Sequence, residues 1–297
     1  MRTLRLLALI LCGTLILLGT AGVASAASVT THAEYTITPP YEPDPEDPSP
    51  PLPPPPMTDT DDDTGTSGTI HSEVVAADPW DPSWAIAEAK AAGNVDGKGA
   101  ATAHYMDAYG NEVWAAAGVA WSNTYTVSSA GAYTWDFFVE NGELSIEDYC
   151  YGPSMIAGYY LDIFFDSALI WTSEAYLDGG QAGYTYDVIG TDIGGTFFDY
   201  GSYFGYTFDR YDESLDLGTF AAGDSFEISY ELMVGVFGPG YETGAYASIG
   251  DPGDLSGGGL YGTLEGGGDA TVPIPGAVWL LGSGLMGLAG FRRKFRG

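Results

Sequence analysis

The stretch SFEISYELMVGV, residues 225–236, decides the fold class through the spacing of its apolar side chains. Every even-numbered position in it is apolar, and the polar residues Glu227, Ser229 and Glu231 stand at odd-numbered positions between them. An apolar residue at every second position is typical of a β-strand with one buried face, because successive side chains point to opposite sides. The stretch AYTWDFFVE, residues 132–140, alternates in the same way and predicts a second strand of this kind.

Short strands separated by turn residues account for most of the remaining body of the chain. Asn141-Gly142 directly follows the strand at 132–140 and predicts a tight hairpin into ELSI, residues 143–146. Further strand candidates share this composition: 69–76, 99–107, 112–121, 124–128, 159–165, 168–173, 183–188 and 203–208. Only PSWAIAEAKAAG, residues 82–93, predicts a helix, with Ser83 as its N-cap. The pattern predicts an all-β fold, an antiparallel β-sandwich of jelly-roll-like topology.

The charges of the 297-residue chain are distributed unevenly, with 40 acidic against 9 basic residues. All the acidic residues lie between positions 27 and 271, where only Lys90, Lys98 and Arg210 are basic. A body with this charge repels nucleic-acid phosphates and anionic lipid headgroups, so the composition excludes nucleic-acid binding. Hydrophobic residues make up 45% of the chain and aromatic residues 14%, which indicates a packed core rather than a disordered acidic chain.

The first 26 residues, MRTLRLLALILCGTLILLGTAGVASA, have the parts of a secretory signal peptide. Arg2 and Arg5 form a basic start, and a long apolar run without charge follows them. Ala24 and Ala26 supply the small side chains that signal peptidase requires before its cleavage site. The sequence therefore predicts an N-terminal signal helix and export across a bacterial inner membrane, with signal peptidase as a processing partner.

The last 26 residues, VPIPGAVWLLGSGLMGLAGFRRKFRG, combine an apolar run with a basic end. The segment from Ala277 to Phe291 contains no charged residue and would be about 22 Å long as a helix, near the short end of what a bilayer requires. Four cations then follow: Arg292, Arg293, Lys294 and Arg296. By the positive-inside rule this basic anchor stays cytoplasmic and the acidic body lies outside. We therefore predict a C-terminal transmembrane helix.

This C-terminal segment resembles the PEP-CTERM protein-sorting signal, which has three parts in a fixed order. Those parts are here the motif Pro273-Ile274-Pro275, the apolar helix from Gly276 to Gly290, and the basic anchor. The resemblance implies export, transient membrane anchoring and recognition by an exosortase, a membrane cysteine transpeptidase of bacteria that often make exopolysaccharide. Ile274 stands where the family has Glu, as in a VPLP/VPIP-like subgroup.

These features divide the chain into five segments. After the signal peptide, residues 1–26, the Pro/Asp-rich residues 27–68 hold eleven of the eighteen prolines and are predicted to be a disordered tail. Residues 69–249 are predicted to form the β-sandwich domain. Residues 250–271 are predicted to be a flexible Gly-rich tether to the sorting signal at 272–297.

Four aspartates are candidate calcium ligands, because their spacing lets carboxylates and backbone carbonyls surround a hard cation. They are Asp78 and Asp81 in ADPWDP, and Asp251 and Asp254 in GDPGDL. Turn formation by these Asp residues explains the same pattern without a metal. No His or Cys spacing typical of a zinc site occurs, so calcium is the one cofactor that the sequence leaves open.

Aromatic residues of the body are candidates for stacking on sugar rings, which present apolar C–H faces. Those that stand in turn-like or short-strand surroundings are Trp80, Trp84, Tyr203 and Tyr206. Aromatic residues on the apolar face of a strand are instead expected to pack in the core.

Three hypotheses about function follow from these observations, of which the third is that the sandwich is a spacer without a specific ligand. The first is an exported, transiently membrane-anchored surface or matrix protein without catalytic activity, associated with exopolysaccharide as a structural or adhesive module. The alternative is a secreted glycan-active hydrolase, which requires two carboxylates across a cleft. Because the body contains 40 acidic residues, the sequence singles out no catalytic pair.

Overall fold

The computed structural model describes residues 27–38, 56–77, 85–107, 112–148, 155–180, 183–239, 243–256 and 258–266. These residues form fifteen strands: β1 (Ser28–Thr38), β2 (Met57–Gly65), β3 (Thr69–Ala77), β4 (Ala85–Asn94), β5 (Gly99–Asp107), β6 (Glu112–Thr126), β7 (Gly131–Asp148), β8 (Met155–Phe165), β9 (Ala168–Gly180), β10 (Gly183–Gly190), β11 (Thr196–Asp199), β12 (Tyr203–Phe220), β13 (Ser225–Pro239), β14 (Thr243–Ile249) and β15 (Gly259–Gly266).

The strands form two antiparallel sheets. Sheet A has seven strands in the order β10-β9-β8-β13-β6-β1-β2. Sheet B has eight: seven follow the order β11-β12-β7-β14-β5-β4-β3, and β15 pairs with β7 and β5 beside them. Every pairing recorded between these strands is antiparallel, which confirms the predicted all-β, antiparallel class.

The two sheets share one buried core. The side chains that face it are those that the apolar alternation of the sequence predicts to be buried. In β13 the apolar residues at even-numbered positions are all buried, from Phe226 to Val236. Aromatic rings from the two sheets contact each other across this core. Phe137 of β7 meets Trp171 of β9 edge-on, with ring centroids 4.9 Å apart. Sheets A and B therefore face each other.

The predicted hairpin at Asn141-Gly142 is wrong, because β7 runs through it without reversing. Asn141 has a φ of 59°, but Gly142 is not in the left-handed region. A tight hairpin turn needs positive φ at both positions, and here only one has it. The kink instead changes which side chains face the core: Val139 is buried before it, and Leu144 after it. The first half of β7 pairs with β15 and the second half with β14.

The helix predicted at 82–93 is also wrong over the residues that the structure describes. Residues 85–94 form β4, which pairs with β3 on one side and β5 on the other. The side chains of Ala87, Ala89 and Ala91 are buried in the core, and the residues between them face outward. Alanine favours helices in isolation, but here two neighbouring strands and a buried face determine the conformation.

The predicted disordered tail contains two strands. β1 lies between β6 and β2 in sheet A, and it buries Val29, Ala33 and Ile37. Residues 39–55 lie outside the described residues. The predicted Gly-rich tether likewise contains β15, which pairs with the first half of β7 and buries Leu260. Proline and glycine content predicted disorder and flexibility for these segments. It does not predict which strands a segment pairs with in the folded protein.

The predicted signal peptide and sorting signal lie outside the described residues, as do Ala24, Ala26, the Pro273-Ile274-Pro275 motif and the basic anchor. Within the described part of the chain, no helix has the length and apolar character needed to cross a bilayer.

Candidate functional site

The outward side of sheet B carries a groove across its central strands. Two adjoining cavities, of about 310 and 550 Å³, share His104, Glu143 and Tyr246 in their walls. We call the surface that they form the outer groove. Its charged, aromatic and hydroxyl side chains come from five strands: Glu88, Lys90, Thr102, His104, Tyr246, Ser248, Glu143, Ser145, Glu147 and Tyr203.

Strand register brings these side chains together. Glu88 of β4 pairs with His104 of β5, His104 with Tyr246 of β14, and Tyr246 with Ser145 of β7. Residues directly opposite each other on neighbouring strands lie on the same face of a sheet. The four side chains therefore form a row across the strands. The loop after β14 supplies a wall of the larger cavity through Asp251, Pro252 and Gly253.

Glu143 is held in place by two hydrogen bonds to the same oxygen. The Tyr203 hydroxyl donates to Oε1 at 2.5 Å, and the Ser145 hydroxyl donates to Oε1 at 2.6 Å. Among the described residues Glu143 makes no further side-chain hydrogen bond, so Oε2 of this cavity-lining carboxylate is left as an acceptor. Burial, followed by the hydrogen bond to Glu143, raises the pKa of Tyr203 to about 12, so this hydroxyl remains a donor at neutral pH.

His104 and Tyr246 form the aromatic centre of the groove. Their rings meet edge to face, with centroids 6.0 Å apart. Burial lowers the pKa of His104, and the nearby charges of Glu88 and Glu147 oppose that shift only in part. The imidazole is therefore neutral at neutral pH, so it offers a hydrogen-bonding ring and no positive charge.

The charge of the groove is dominated by carboxylates. Lys90 is the one basic residue among its lining residues, and it forms ion pairs with Glu88 in the groove and with Glu73, at 3.2 Å, beside it. Glu143, Glu147 and Asp251 also line the cavities. The hydrogen bond to Glu88 raises the pKa of Lys90, so the side chain remains a cation held by its two carboxylate partners.

An aromatic cluster of two half-buried rings and one exposed ring adjoins the groove at Tyr203. The ring of Phe198 stacks on Tyr200 with centroids 5.6 Å apart and lies 5.1 Å from the ring of Tyr203. Tyr200 is 77% exposed. Aromatic surface in solvent beside a polar groove is a common feature of ligand-binding faces.

Of the two predicted glycan-stacking residues that the structure describes, Tyr203 lies in the groove and Tyr206 does not. Tyr203 and Tyr206 are three positions apart on β12, so their side chains point to opposite faces of sheet B. Tyr206 stacks on Tyr186 of β10, with centroids 3.9 Å apart, at the edge of the two sheets. The structure thus separates this predicted pair. Trp80 and Trp84 lie outside the described residues.

His104, Tyr246 and Glu143 were not among the site residues predicted from the sequence. Strand alternation alone could have placed Glu143, Ser145 and Glu147 on one face of a continuous strand. The hairpin predicted at Asn141-Gly142 separated these residues from the strand at 132–140, so the continuous strand β7 was not predicted. The alignment of His104 with Tyr246 depends on long-range pairing between β5 and β14, which a single sequence does not report.

The candidate calcium ligands Asp251 and Asp254 are occupied by their own turns. Asp251 Oδ1 accepts a hydrogen bond from Gly253 N at 2.8 Å. Asp254 Oδ1 accepts from the backbone N and the hydroxyl of Ser256, at 2.9 and 2.6 Å. No cluster of three or more His, Cys, Asp or Glu suited to a metal ion occurs in the described part of the chain. Asp78 and Asp81 lie outside it.

No model of a known protein family matches this sequence, and no curated protein matches it. Among solved structures, one similar chain is a beta-glucosidase from Kluyveromyces marxianus in complex with glucose. The likeness has a TM-score of 0.23 and 12% sequence identity, and it covers 80% of this chain and 17% of that one. A likeness at this level carries no argument about the function of the present chain.

Proposed function

We propose that this chain is an exported bacterial surface or matrix protein, without catalytic activity, that binds exopolysaccharide along the outer groove. The observation that carries the proposal is the composition of that groove, in which the rings of His104, Tyr246 and Tyr203 stand among hydrogen-bonding side chains on an open sheet face. Sugar rings present apolar C–H faces and hydroxyl groups. The aromatic rings of the groove can therefore stack on the C–H faces, and its polar side chains can hydrogen-bond to the hydroxyls.

The arrangement of carboxylates supports binding rather than hydrolysis. Glu143 and Glu147 both arise from β7, four residues apart on the outward face of sheet B. Glycosidases hold two carboxyl groups on opposite sides of the scissile bond, about 5 to 10 Å apart. Two carboxylates on one strand of an open face do not flank a bond in this way.

The route of the protein is part of the same proposal. Signal peptidase removes residues 1–26, the helix in 272–297 anchors the chain with its basic end in the cytoplasm, and an exosortase acts near Pro273-Ile274-Pro275. The body then lies outside the inner membrane, where exopolysaccharide is found. The finer description of the body as a jelly-roll-like β-sandwich also belongs here. It is supported by the strand order, in which β5, β6, β7 and β8 alternate between the two sheets.

A glycan-array screen of the full chain tests the proposed function. We expect binding to at least one polysaccharide class, without release of reducing sugar. Tyr246→Ala should weaken that binding at least tenfold, because it removes the central ring of the groove. Tyr176→Ala is the matched control, since Tyr176 is a half-buried tyrosine of β9 in sheet A. Absence of binding to every glycan would contradict the proposal, and turnover would favour the hydrolase alternative.

A further inference from the structure

The outer groove has a charge that restricts which glycan it can hold. Glu88, Glu143, Glu147 and Asp251 supply four carboxylates to its walls, and Lys90 supplies one cation. That cation is already paired with Glu88 and Glu73. A polymer that carries uronate, sulfate or phosphate groups would bring further negative charge against these carboxylates, which is unfavourable.

The remaining polar groups of the groove do not offset this charge. His104 is neutral at neutral pH because its burial lowers the pKa of the imidazole. The hydroxyls of Tyr203 and Ser145 both donate to Glu143 Oε1 and are engaged there. Thr102, Ser248 and Tyr246 add neutral hydroxyls, so the groove has hydrogen-bond donors, acceptors and aromatic faces but no unpaired positive charge for an anionic ligand.

A protonated amine matches both the carboxylates and the aromatic rings of this surface. An ammonium group donates three hydrogen bonds, and its bonds to a carboxylate are charge-assisted and stronger than those between neutral groups. Glu143 Oε2 remains as an acceptor in the groove. An ammonium is also attracted to the face of a tyrosine ring such as that of Tyr246. A sugar bearing an amine can place its ring on the aromatic centre and its ammonium near the carboxylates.

We infer that the outer groove binds a cationic glycan, a hexosamine polymer with free amino groups, in preference to neutral or acidic polysaccharides. This inference rests on the proposed function, because it names the chemical class of the glycan that the same groove takes. The amino groups recognise the carboxylate walls, and the sugar rings contact Tyr246 and Tyr203.

The test compares four ligands on the full chain, purified in detergent, by calorimetry at mildly acidic pH. The ligands are a glucosamine hexamer, its fully N-acetylated form, a uronate hexamer and hexalysine. We expect the glucosamine hexamer to bind at least about tenfold more tightly than the N-acetylated form, with an affinity that falls as salt is added. The uronate hexamer should not bind.

Two variants assign the preference to the groove. Glu143→Gln keeps an oxygen that can accept from Tyr203 and Ser145 while it removes the charge, so it should weaken binding of the amine hexamer about tenfold and leave the N-acetylated form nearly unchanged. Glu147→Gln provides the same test if the first variant fails to fold. Glu174→Gln is the matched control, because Glu174 lies on β9 of sheet A and not in the groove.

The outcomes separate the two proposals. If the N-acetylated hexamer or the uronate binds as tightly as the amine hexamer, the inference about charge is wrong while the proposed function stands. If hexalysine binds as tightly as the amine hexamer, the groove recognises positive charge and not a glycan, and the inference is overturned. If none of the sugars binds and the glycan array is also empty, the proposed function falls with it.

Discussion

Trp121 of sheet A stacks on Trp135 of sheet B, with ring centroids 5.6 Å apart and planes inclined by 24°. The indole Nε1 of Trp121 also donates to the carbonyl oxygen of Val95 at 3.1 Å. Gly262 of β15 makes room for this pair, because a Cβ added there would lie 2.1 Å from Cζ2 of Trp135. The contact between the sheets thus depends on a glycine in a segment whose composition resembles a linker.

The first prediction concerns this glycine. Gly262→Ala should lower the free energy of unfolding by about 2 kcal/mol, because the added methyl group displaces the Trp135 ring from a packed core. Chemical denaturation measures the loss, and the near-UV circular dichroism of the tryptophans should change with it. Gly253→Ala is the control, because Gly253 is exposed and a Cβ added there would lie 3.2 Å from its nearest neighbour, Asp251 Oδ1. Equal stability of the two variants would contradict the proposed packing role.

The fold class could be predicted from the sequence because it depends on local alternation. β13 shows this most clearly, since its even-numbered apolar residues are all buried. The same rule applies to β4, where Ala87, Ala89 and Ala91 alternate with Glu88 and Lys90. The high alanine content of β4 favours a helix in isolation, but its pairing with β3 and β5 makes it a strand.

The candidate site could not be predicted in the same way. Local sequence places His104 on β5 and Tyr246 on β14, 142 positions apart, and only the pairing of these strands brings the two rings together. Alternation does predict that Glu143 and Ser145 share a face. It does not predict which strand lies beside them, and therefore not that Tyr203 donates to Glu143.

A second prediction follows from the kink in β7. Asn141 has a φ of 59°, a conformation that asparagine and glycine tolerate and alanine does not. Asn141→Ala should therefore cost about 1 kcal/mol of stability, and Asn141→Gly should cost less. Urea denaturation of both variants measures the difference. If alanine were as stable as glycine at this position, backbone strain would not explain the use of asparagine.

A third prediction concerns the carboxylate Glu231 on the outward side of sheet A. Burial, followed by the nearby charge of Asp162, raises the pKa of Glu231 to about 7, and Asp162 lies directly opposite it on β8. A carboxyl whose pKa is raised by folding stabilises the protein while it is protonated, so this contribution is present below about pH 4.5 and is lost as the pH rises through 7.

Glu231→Gln removes the ionisation and keeps the shape of the side chain. The stability of this variant relative to the native chain should therefore increase between about pH 5 and pH 8, by up to about 3 kcal/mol. Denaturation midpoints measured across this range test the prediction. Glu227→Gln is the control, because Glu227 lies on the same strand and face near its end. A difference between native and variant chains that does not depend on pH would contradict the assignment.

A fourth prediction addresses the delivery of the protein. Replacement of Arg292, Arg293, Lys294 and Arg296 by Gln removes the charges that, in the proposed topology, hold the C-terminal end in the cytoplasm. The membrane-bound form of the exported chain should then become less abundant relative to the native chain, as measured by membrane fractionation. Replacement of Lys90, Lys98 and Arg210, the basic residues of the body, is the control. An unchanged membrane-bound fraction would contradict the proposed topology.

The fifth prediction concerns His32, which joins β1 to the edge strand β2. Its Nδ1 lies 2.5 Å from Asp62 Oδ1, and its Nε2 lies 3.1 Å from Glu34 Oε1. The hydrogen bond to Glu34, together with that to Asp62, raises the pKa of His32 to about 9 against the opposing effect of burial.

An imidazole whose pKa is raised by folding stabilises the protein fully below its unfolded value near pH 6.5, and this contribution is lost as the pH rises through about 9. His32→Gln should therefore destabilise the chain more at about pH 6 than at pH 10, by about 1 kcal/mol, since the exposed Asp62 is screened by solvent. Hydrogen exchange of the β2 amides at the two pH values measures this. His71→Gln is the control, because His71 is exposed on β3. Equal protection of β2 at both pH values in the native and His32 variant chains would show that the imidazolium does not hold this edge strand in place.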